Sequence, residues 1–568
     1  MNLYFKYLFI SVSVCCLLLT GSCGSGQSEP GHSASTPEEL RQKAAVLIGD
    51  WVRQASTSGG NTGDSLLPLQ QALLMQKLYQ ANNYALFWTT GQQWTPGADS
   101  LFRLLQSARN FGLYPQDYHV ELIDSIRAAF EGDSLGKQAT KDASLWAKAD
   151  LALSDACAQF LKDVKLGKLP DDSISLNKDS LLADEFILQS LQLARDSGSI
   201  NSIVRSLEPS HWGYRQIKNG IPGFLQKASF KRFTIVPSPK QKGFREALQK
   251  RLFEGGYLSM DSVMADSVQL AAAVKLFQKE KGMQVDGRAG EGTVRMLNVS
   301  DEEKFARIAI SMDKFKKLPE QMPPKYIWVN AAANYLDLIE DDKLVFSSKV
   351  ITGKPHTRTP LLNSAVSVLI TYPQWVPPPS IVSKEILPAV RKNPGYLAKK
   401  GFSLLDKDGN EVDPYSVDWS KYSRGIPYRI VQGSGDANAL GIIKFHFDNK
   451  YSVYLHDTNQ RYLFGNAMRS LSHGCVRVQE WQKLARYILK TDSLKTTGKT
   501  HLADSMQKWL ANKEKHHIPV KNKMPVYIRY LTCEGRNGEL VFYDDIYGDD
   551  RVLREKYYAG KRVGKTPE

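Results

Sequence analysis

The spacing of apolar residues changes near Lys325, and this change constrains the fold more than any other feature of the sequence. Before Lys325, apolar residues recur at helical spacing over long stretches. After it, apolar and polar residues alternate as in half-buried strands, and Asp341-Asp342 is placed as a hairpin turn. The sequence therefore predicts a multidomain α+β chain, with a helical N-terminal part followed by a mostly β part.

With 568 residues, the chain has room for about three domains, each with its own core. The predicted segments are a signal peptide (1–22), a tether (23–36), a helical scaffold domain (37–235), a small three-helix domain (240–300), a linking helix (301–324), a mostly β domain (325–515) with an insertion at about 376–433, and C-terminal strands with a tail (516–568).

The N-terminus has the order of a targeting segment. Lys6 precedes an apolar run, and small residues around Cys23 follow it. This order resembles a bacterial lipoprotein signal, which implies lipidation of Cys23, a membrane anchor and a place in the periplasm or cell envelope. Thr20 stands where such signals usually carry leucine. Plain secretion and an uncleaved anchor are therefore the alternatives, although the apolar run is short for a full span.

Charge and cysteine content exclude some classes of protein. The net charge is +15, but basic runs are short and no nucleic-acid-binding motif is present, so we expect no nucleic-acid partner. An anionic polymer or membrane surface fits the diffuse charge, as does a simple solvated surface. Outside the targeting segment the cysteines are Cys157, Cys475 and Cys533, too few for a disulfide scaffold. Free thiols are the simpler expectation.

Cys475 is the strongest candidate for chemistry. It follows a predicted strand that ends with His456, and an imidazole close to a thiol can accept its proton. Helical spacing from Val478 onward predicts a helix directly after Cys475. The partial positive charge of that helix, with Arg477 and His473, would favour the thiolate.

The residues next to the thiol suit an acyl-transfer site. Gly474 leaves the backbone open to a substrate, and the amides of His473, Gly474 and Cys475 could hold an oxyanion. Two other interpretations remain open at this point. Cys475 could be a buried apolar residue, or it could bind a metal with His456, Asp457 and His473. A second paired set of Cys or His is missing, so we expect no metal.

The order Ser472-His473-Gly474-Cys475-Val476-Arg477, after a strand that carries His456, resembles the catalytic motif of L,D-transpeptidases. These are the YkuD-type enzymes that cross-link peptidoglycan. Further stretches resemble the large, YcbB-like branch of this family: 79–88, 112–115, 372–381, 393–397, 432–441 and 455–458. The glycine turns of 245–299 resemble a three-helix peptidoglycan-binding domain. A packing module that never touches glycan is the alternative, as a stand-alone helical binding domain is for the N-terminal region.

The resemblance implies a fold and a reaction. It implies a mostly β sandwich whose insertion caps the active site. Cys475 would attack a tetrapeptide stem and form a thioester, and an amine of a second stem would then complete a 3→3 cross-link. His456 would be the base, with His473 as a less favoured candidate. No metal or organic cofactor is implied.

The remaining site residues take their roles from the same resemblance. The backbone carbonyl of Asp457 would orient His456. Arg477 would bind a stem carboxylate, or form a structural ion pair. Ser472 and Gly474 belong to the motif loop. Tyr372 and Trp375 would line the donor groove, or pack in the core.

Two other functions stay open. Water could hydrolyse the thioester, which would make the protein an L,D-carboxypeptidase. The chain could also be a non-catalytic envelope anchor that binds peptidoglycan through 245–299.

Overall fold

The computed structural model of the protein describes residues 31–132, 134–177, 181–259, 265–281, 283–423, 425–497 and 501–563. The predicted signal peptide, Cys23 and most of the predicted tether lie outside these residues. No helix in the described ranges is long and apolar enough to cross a membrane.

The N-terminal part is helical, as predicted. Its helices are α1 (Pro37–Thr57), α2 (Ala72–Ala81), α3 (Pro96–Gln106), α4 (Val120–Glu131), α5 (Ser134–Ala139), α6 (Ala143–Leu166), α7 (Asp184–Ser197), α8 (Ile200–Leu207) and α9 (Trp212–Lys227). The chain forms two compact units, one from residues up to 99 with 121–155, and one from 100–120 with all residues from 156 onward. The predicted scaffold region therefore divides between the two units.

A buried carboxylate organises the first unit. Asp150 accepts hydrogen bonds from the Tyr79 hydroxyl (2.6 Å) and from the backbone amides of Phe87 and Trp88 (both 2.8 Å). The Trp88 indole donates to the hydroxyl of Ser154, also at 2.8 Å. Burial raises the pKa of Asp150 to about 6, against the opposing effect of these donors. The aromatic segment around Trp88 is thus fastened to α6 through polar bonds.

The second unit continues with helices α10 (Phe244–Glu254), α11 (Ser267–Glu280), α12 (Glu291–Asn298) and α13 (Asp301–Lys316). The first three enclose a small core of their own, which includes Leu252, Phe277 and Leu297. A helix lies where the linking helix at 301–324 was predicted, and α13 is also a core element. Its apolar side chains, Phe305 among them, are buried against α9 and a C-terminal strand that carries Cys533.

The mostly β part contains one large sheet. Its strands are β1 (Lys325–Asn330), β2 (Tyr335–Glu340), β3 (Lys343–Gly353), β4 (Leu362–Thr371), β7 (Ile443–Phe447), β8 (Leu455–His456), β9 (Ser470–Ser472), β10 (Val476–Val478) and β11 (His517–Arg529). Asp341 and Asp342 both have positive φ, at 46° and 58°, and form the predicted turn between β2 and β3.

The sheet closes on itself. The strand order is β10-β8-β7-β4-β11-β1-β2-β3, β10 also pairs with β3, and β9 is added beside β3. The predicted mostly β fold is confirmed, with its strands joined in a closed sheet. The predicted domain boundary at 515/516 falls directly before β11, which pairs with both β1 and β4 and is therefore a central strand of the sheet. The register of β11 shifts between Pro519 and Met524, so the sequence shows no continuous alternation of apolar and polar residues along this strand.

The insertion between β4 and β7 forms a small subdomain. It contains α14 (Pro379–Ile381), a π-helical segment (Val382–Ile386), α15 (Leu387–Lys392), α16 (Tyr396–Lys399), β5 (Phe402–Leu405) and β6 (Arg429–Gln432). Its own apolar core includes Leu387, Leu404 and Trp419.

The C-terminal elements pack around the sheet and against α13. They are α17 (Trp481–Thr497), α18 (His501–Ala511), β12 (Cys533–Arg536), β13 (Glu539–Phe542) and α19 (Asp549–Tyr557). Cys157 and Cys533 are buried free thiols, and no disulfide joins the described cysteines.

Candidate active site

Two neighbouring parallel strands position the candidate nucleophile and base. In the register of β8 and β10, Val476 pairs with Leu455, and Arg477 pairs with His456. Val476 and Leu455 are fully buried. Because side chains alternate along a strand, His456 and Arg477 lie on the opposite face. Cys475, two residues before Arg477, shares that face.

Tyr454 connects the thiol with the imidazole. The Val476 amide donates to the Tyr454 carbonyl at 3.1 Å, which extends the ladder to the position beside Cys475. The Tyr454 side chain lies close enough to the Cys475 thiol for each to shift the pKa of the other, and its ring lies 5.7 Å from the His456 ring, centroid to centroid. The structure therefore brings the sulfur of Cys475 and the ring of His456 to the same tyrosine.

The strand that carries His456 is shorter than predicted. We expected it to begin at Tyr451, but β8 spans only Leu455–His456. The side-chain oxygen of Asn449 accepts hydrogen bonds from the amides of Tyr451 and Val453, both at 3.0 Å, and folds this segment into a turn. The turn places the Ser452 carbonyl 3.9 Å from the Cys475 sulfur.

A tight loop presents the thiol. Gly474 has φ +121°, which favours glycine, and its carbonyl accepts a bond from the Thr359 hydroxyl at 2.8 Å. The buried hydroxyl of Ser472 accepts from the Gly474 amide (3.1 Å) and donates to the Cys475 carbonyl (2.6 Å). Of the three amides expected to hold an oxyanion, the Gly474 amide thus already donates to the Ser472 hydroxyl. Those of His473 and Cys475 meet no acceptor among the described residues.

Burial keeps the thiol and the imidazole neutral. It raises the pKa of Cys475 above the ordinary value, although bonds from Tyr454 and the charges of Lys444 and Arg477 oppose it. It lowers the pKa of His456 to about 3, and Arg477 adds to this effect. The predicted stabilisation of the thiolate by a helix is not found, because β10 follows Cys475 and α17 begins only at Trp481.

Asp457 is fully buried and braces the turn beside His456. Its carboxylate accepts two bonds from the Arg461 guanidinium, at 3.0 and 2.6 Å, and one from the Ile442 amide at 3.1 Å. The backbone of Asp457 faces the imidazole and opposes the lowering of its pKa. The Nδ1 atom of His456 has no partner of good hydrogen-bonding geometry within the described chain.

His473 faces the insertion. Its Nε2 atom lies 2.5 Å from the Glu385 carboxylate, and both side chains are partly exposed. Glu385 belongs to the π-helical segment, so this contact joins the loop that presents the thiol (473–475, here called the catalytic loop) to the insertion. Because His473 faces the insertion, His456 is the better candidate for the base: its imidazole lies on the same face of the sheet as the thiol.

Tyr372 and Trp375 lie where the insertion begins. The hydroxyl of buried Tyr372 donates to Asp436 at 3.3 Å. The Trp375 side chain contacts Phe402 of the insertion, with ring centroids 5.9 Å apart, and it opposes the rise that burial causes in the pKa of Tyr454. Trp375 thus links the insertion to the tyrosine beside the thiol.

The sequence interpretation missed Tyr454 and Lys444. Lys444 on β7 pairs with His456 in the register, and its ammonium lies 4.0 Å over the Tyr454 ring. Alternation on the predicted strands already placed Tyr454 on the face of His456, but the pairing of β7 with β8 is a long-range feature. No group of three His, Cys, Asp or Glu side chains in the described ranges has the geometry of a metal site.

Comparisons with known proteins agree with this geometry. Residues 324–526 match the family model described as "L,D-transpeptidase catalytic domain", residues 73–220 match "Scaffold domain", and residues 241–297 match "Putative peptidoglycan binding domain". A Haemophilus influenzae protein named "Putative L,D-transpeptidase" is 35% identical over 247 residues, which cover 44% of this chain and 48% of that protein.

The chain thus spans about half the length of this curated relative. The predicted resemblance is confirmed at the level of domains. A helical scaffold region, a domain of the peptidoglycan-binding family and a mostly β catalytic domain follow one another in the order that the sequence predicts. Residues 324–526 of the chain match the YkuD-type catalytic domain of L,D-transpeptidases.

Proposed function

We propose that the protein is a peptidoglycan L,D-transpeptidase that forms 3→3 cross-links through a thioester on Cys475. One observation carries this proposal above all: the thiol of Cys475 and the ring of His456 lie on one face of the closed sheet and meet the same tyrosine. The matches to transpeptidase and peptidoglycan-binding domains support a peptidoglycan substrate and a place in the cell envelope.

In the first half-reaction, the sulfur of Cys475 bonds to the carbonyl carbon of the third stem residue. His456 accepts the thiol proton and transfers it to the nitrogen of the terminal D-alanine, whose C–N bond breaks. Because both groups are neutral at rest, the proton moves during the attack. The amides of Cys475 and His473, which meet no acceptor among the described residues, would donate to the oxyanion.

In the second half-reaction, an amine of an acceptor stem attacks the thioester carbonyl. The amine loses a proton to His456, the C–S bond breaks, and the proton returns to the sulfur of Cys475. Ser472 and Gly474 shape the loop that holds the thiol. Arg477 faces the same site, and we assign it to a stem carboxylate.

The test is product analysis of the purified protein with tetrapeptide muropeptides. We expect cross-linked dimers and free D-alanine, no dimers from Cys475→Ala, and a rate loss of about 100-fold or more for His456→Gln. His517→Gln, at an exposed histidine that begins β11, is the matched control and should keep full activity. A tripeptide product without dimers would show hydrolysis and overturn transpeptidation.

A further inference from the structure

Lys444, His456 and Arg477 form a row across three neighbouring strands. Lys444 on β7 pairs with His456 on β8, and His456 pairs with Arg477 on β10. Both cations are half-buried, and both lower the pKa of the imidazole between them. The candidate base is therefore flanked on each side by a positive charge.

Lys444 differs from Lys168 and Lys314, two other half-buried lysines of the same unit, because it has no carboxylate partner. Lys168 lies 3.0 Å from Asp163, and Lys314 lies 2.6 Å from Asp550. The Lys444 ammonium meets no carboxylate and no hydrogen-bond acceptor in the described parts of the chain, and it rests on the ring of Tyr454. Partial burial of an unpaired ammonium is costly, so its retention beside a reactive thiol points to an anion that binds there.

Arg477 is placed differently from Lys444. One nitrogen of its guanidinium donates to the side-chain oxygen of Gln460 at 3.0 Å. Its Nε atom is buried and meets no partner among the described residues. A protein contact thus positions the guanidinium on the β10 side, whereas the ammonium on the β7 side has no such contact.

We propose that Lys444 is a specificity residue that binds the free carboxylate of the terminal D-amino acid in the donor stem. This inference rests on the proposed function. The carboxylate is two bonds from the leaving nitrogen, and that nitrogen must approach His456 to receive a proton. A leaving residue placed over His456 brings its carboxylate toward Lys444, which is the lateral neighbour of His456 in the register.

The contact favours tetrapeptide stems, whose terminal residue has a free carboxylate within reach of Lys444. A donor in which this carboxylate is an amide or is extended by another residue presents no charge there. A charge-assisted hydrogen bond in a partly buried site discriminates between such donors by about tenfold or more.

The first experiment compares a tetrapeptide donor with the same donor carrying a C-terminal carboxamide. We expect Lys444→Met to raise KM for the free acid about tenfold or more and to leave KM for the amide unchanged, with Lys444→Arg in between. Lys450→Met is the matched control, because the exposed Lys450 lies over the Tyr451 ring at 5.3 Å, away from the row. Equal losses on both donors, or no loss on the free acid, would overturn the proposal.

The second experiment does not depend on turnover. The alkylation rates of Cys475 by iodoacetate and by neutral iodoacetamide are measured by mass spectrometry of its peptide, in the wild type and in Lys444→Met. We expect the ratio of iodoacetate to iodoacetamide rates to fall several-fold in Lys444→Met and to stay constant in Lys450→Met. An unchanged ratio in Lys444→Met overturns the anion site. Absence of dimers with every donor, together with a lowered ratio, overturns the transpeptidase function alone.

Discussion

At the scale of single residues, Cys475, the proposed nucleophile, stays protonated at rest. Burial of its sulfur raises the pKa of the thiol by more than the two nearby cations and the interactions with Tyr454 lower it. His456 is neutral as well. In the proposed reaction, deprotonation of the thiol is therefore a step of the attack, unlike in cysteine sites that hold a preformed thiolate–imidazolium pair.

The first prediction concerns the pH dependence of this thiol. Because burial raises the pKa of Cys475, the rate of its alkylation by iodoacetamide should keep rising as the pH passes 9, its ordinary value. A His456 with a pKa of about 3 stays neutral above pH 4, so no plateau should appear between about pH 5 and 8. The measurement is a rate profile for the Cys475 peptide, with a short free peptide of the same sequence as control. A plateau in that range would show a preformed ion pair.

The second prediction concerns Gly441, which packs against Asp457. Gly441 has φ +62°, and a Cβ atom there would meet the Asp457 carboxylate at 2.3 Å. We expect Gly441→Ala to destabilise the protein by about 1–2 kcal/mol through the backbone alone. We also expect a lower kcat, because the new Cβ atom would displace Asp457, the residue next to His456. Thermal unfolding and dimer formation measure the two effects. Gly433→Ala is the control, since a Cβ atom at Gly433 would have no neighbouring atom within 4 Å. Equal behaviour of the two variants would contradict this account.

The sequence predicts which residues lie close together better than it predicts their electrostatics. The motif spacing and the strand pattern select Cys475, His456 and Asp457, and the structure brings these residues together. The raised pKa of the thiol depends on how closely the insertion and the turn at Asn449 surround it. Such packing joins residues far apart in the chain, and a local pattern does not contain it.

At the scale of elements, long helices and regular strands are predicted well, and short or irregular strands are not. The sequence pattern predicts a helix at 143–165 and strands at 326–330 and 335–340, and α6, β1 and β2 lie within one residue of these bounds. β10 has three residues and precedes a helix, so helical spacing from Val478 obscured it. In both β10 and the irregular β11, strand identity depends on partners that local sequence does not show.

The third prediction concerns the polar bonds that fasten the aromatic segment of the first unit. Asp150→Asn replaces an acceptor of three described bonds by a group that also donates, and should destabilise this unit by roughly 2–3 kcal/mol. Asp50→Asn, at an exposed residue paired with Arg53, should cost less than about 1 kcal/mol. Urea unfolding followed by tryptophan fluorescence compares them. A change of less than about 1 kcal/mol for Asp150→Asn would contradict the assigned role.

The fourth prediction concerns the contact between the insertion and the catalytic loop. Glu385→Gln removes the charge that meets His473. Since both side chains are partly exposed, we expect little change in stability, but a rise of about two- to fivefold in the alkylation rate of Cys475 by iodoacetamide. Glu411→Gln, at an exposed position of the same insertion, is the control. An unchanged rate for Glu385→Gln would show that this contact does not limit access to the thiol.

At the scale of the whole molecule, the chain combines domains that have separate apolar cores. The domain of α10, α11 and α12 is the candidate for attachment to peptidoglycan, and the +15 net charge favours an anionic polymer.

The fifth prediction separates attachment from catalysis. Replacing residues 241–297 by a short Gly-Ser linker should reduce cosedimentation with isolated peptidoglycan, while activity on soluble muropeptides stays within about twofold. Binding of the intact protein should weaken as salt is raised, because exposed charges are screened. Thermal unfolding of the catalytic domain checks that the shortened chain is folded. Unchanged cosedimentation would assign attachment to another surface.

Closure of the ring by β10 has a consequence for inactivation. β10 is bonded along both of its edges, to β8 and to β3, so the seam of the barrel runs beside the reactive sulfur. A slip by a single residue at this seam would turn Cys475 to the other face of the sheet, away from the His456 ring. A protein with a misaligned seam would therefore be inactive. Because the same seam closes the sheet, we expect catalytic activity and the folded barrel to be lost together on heating.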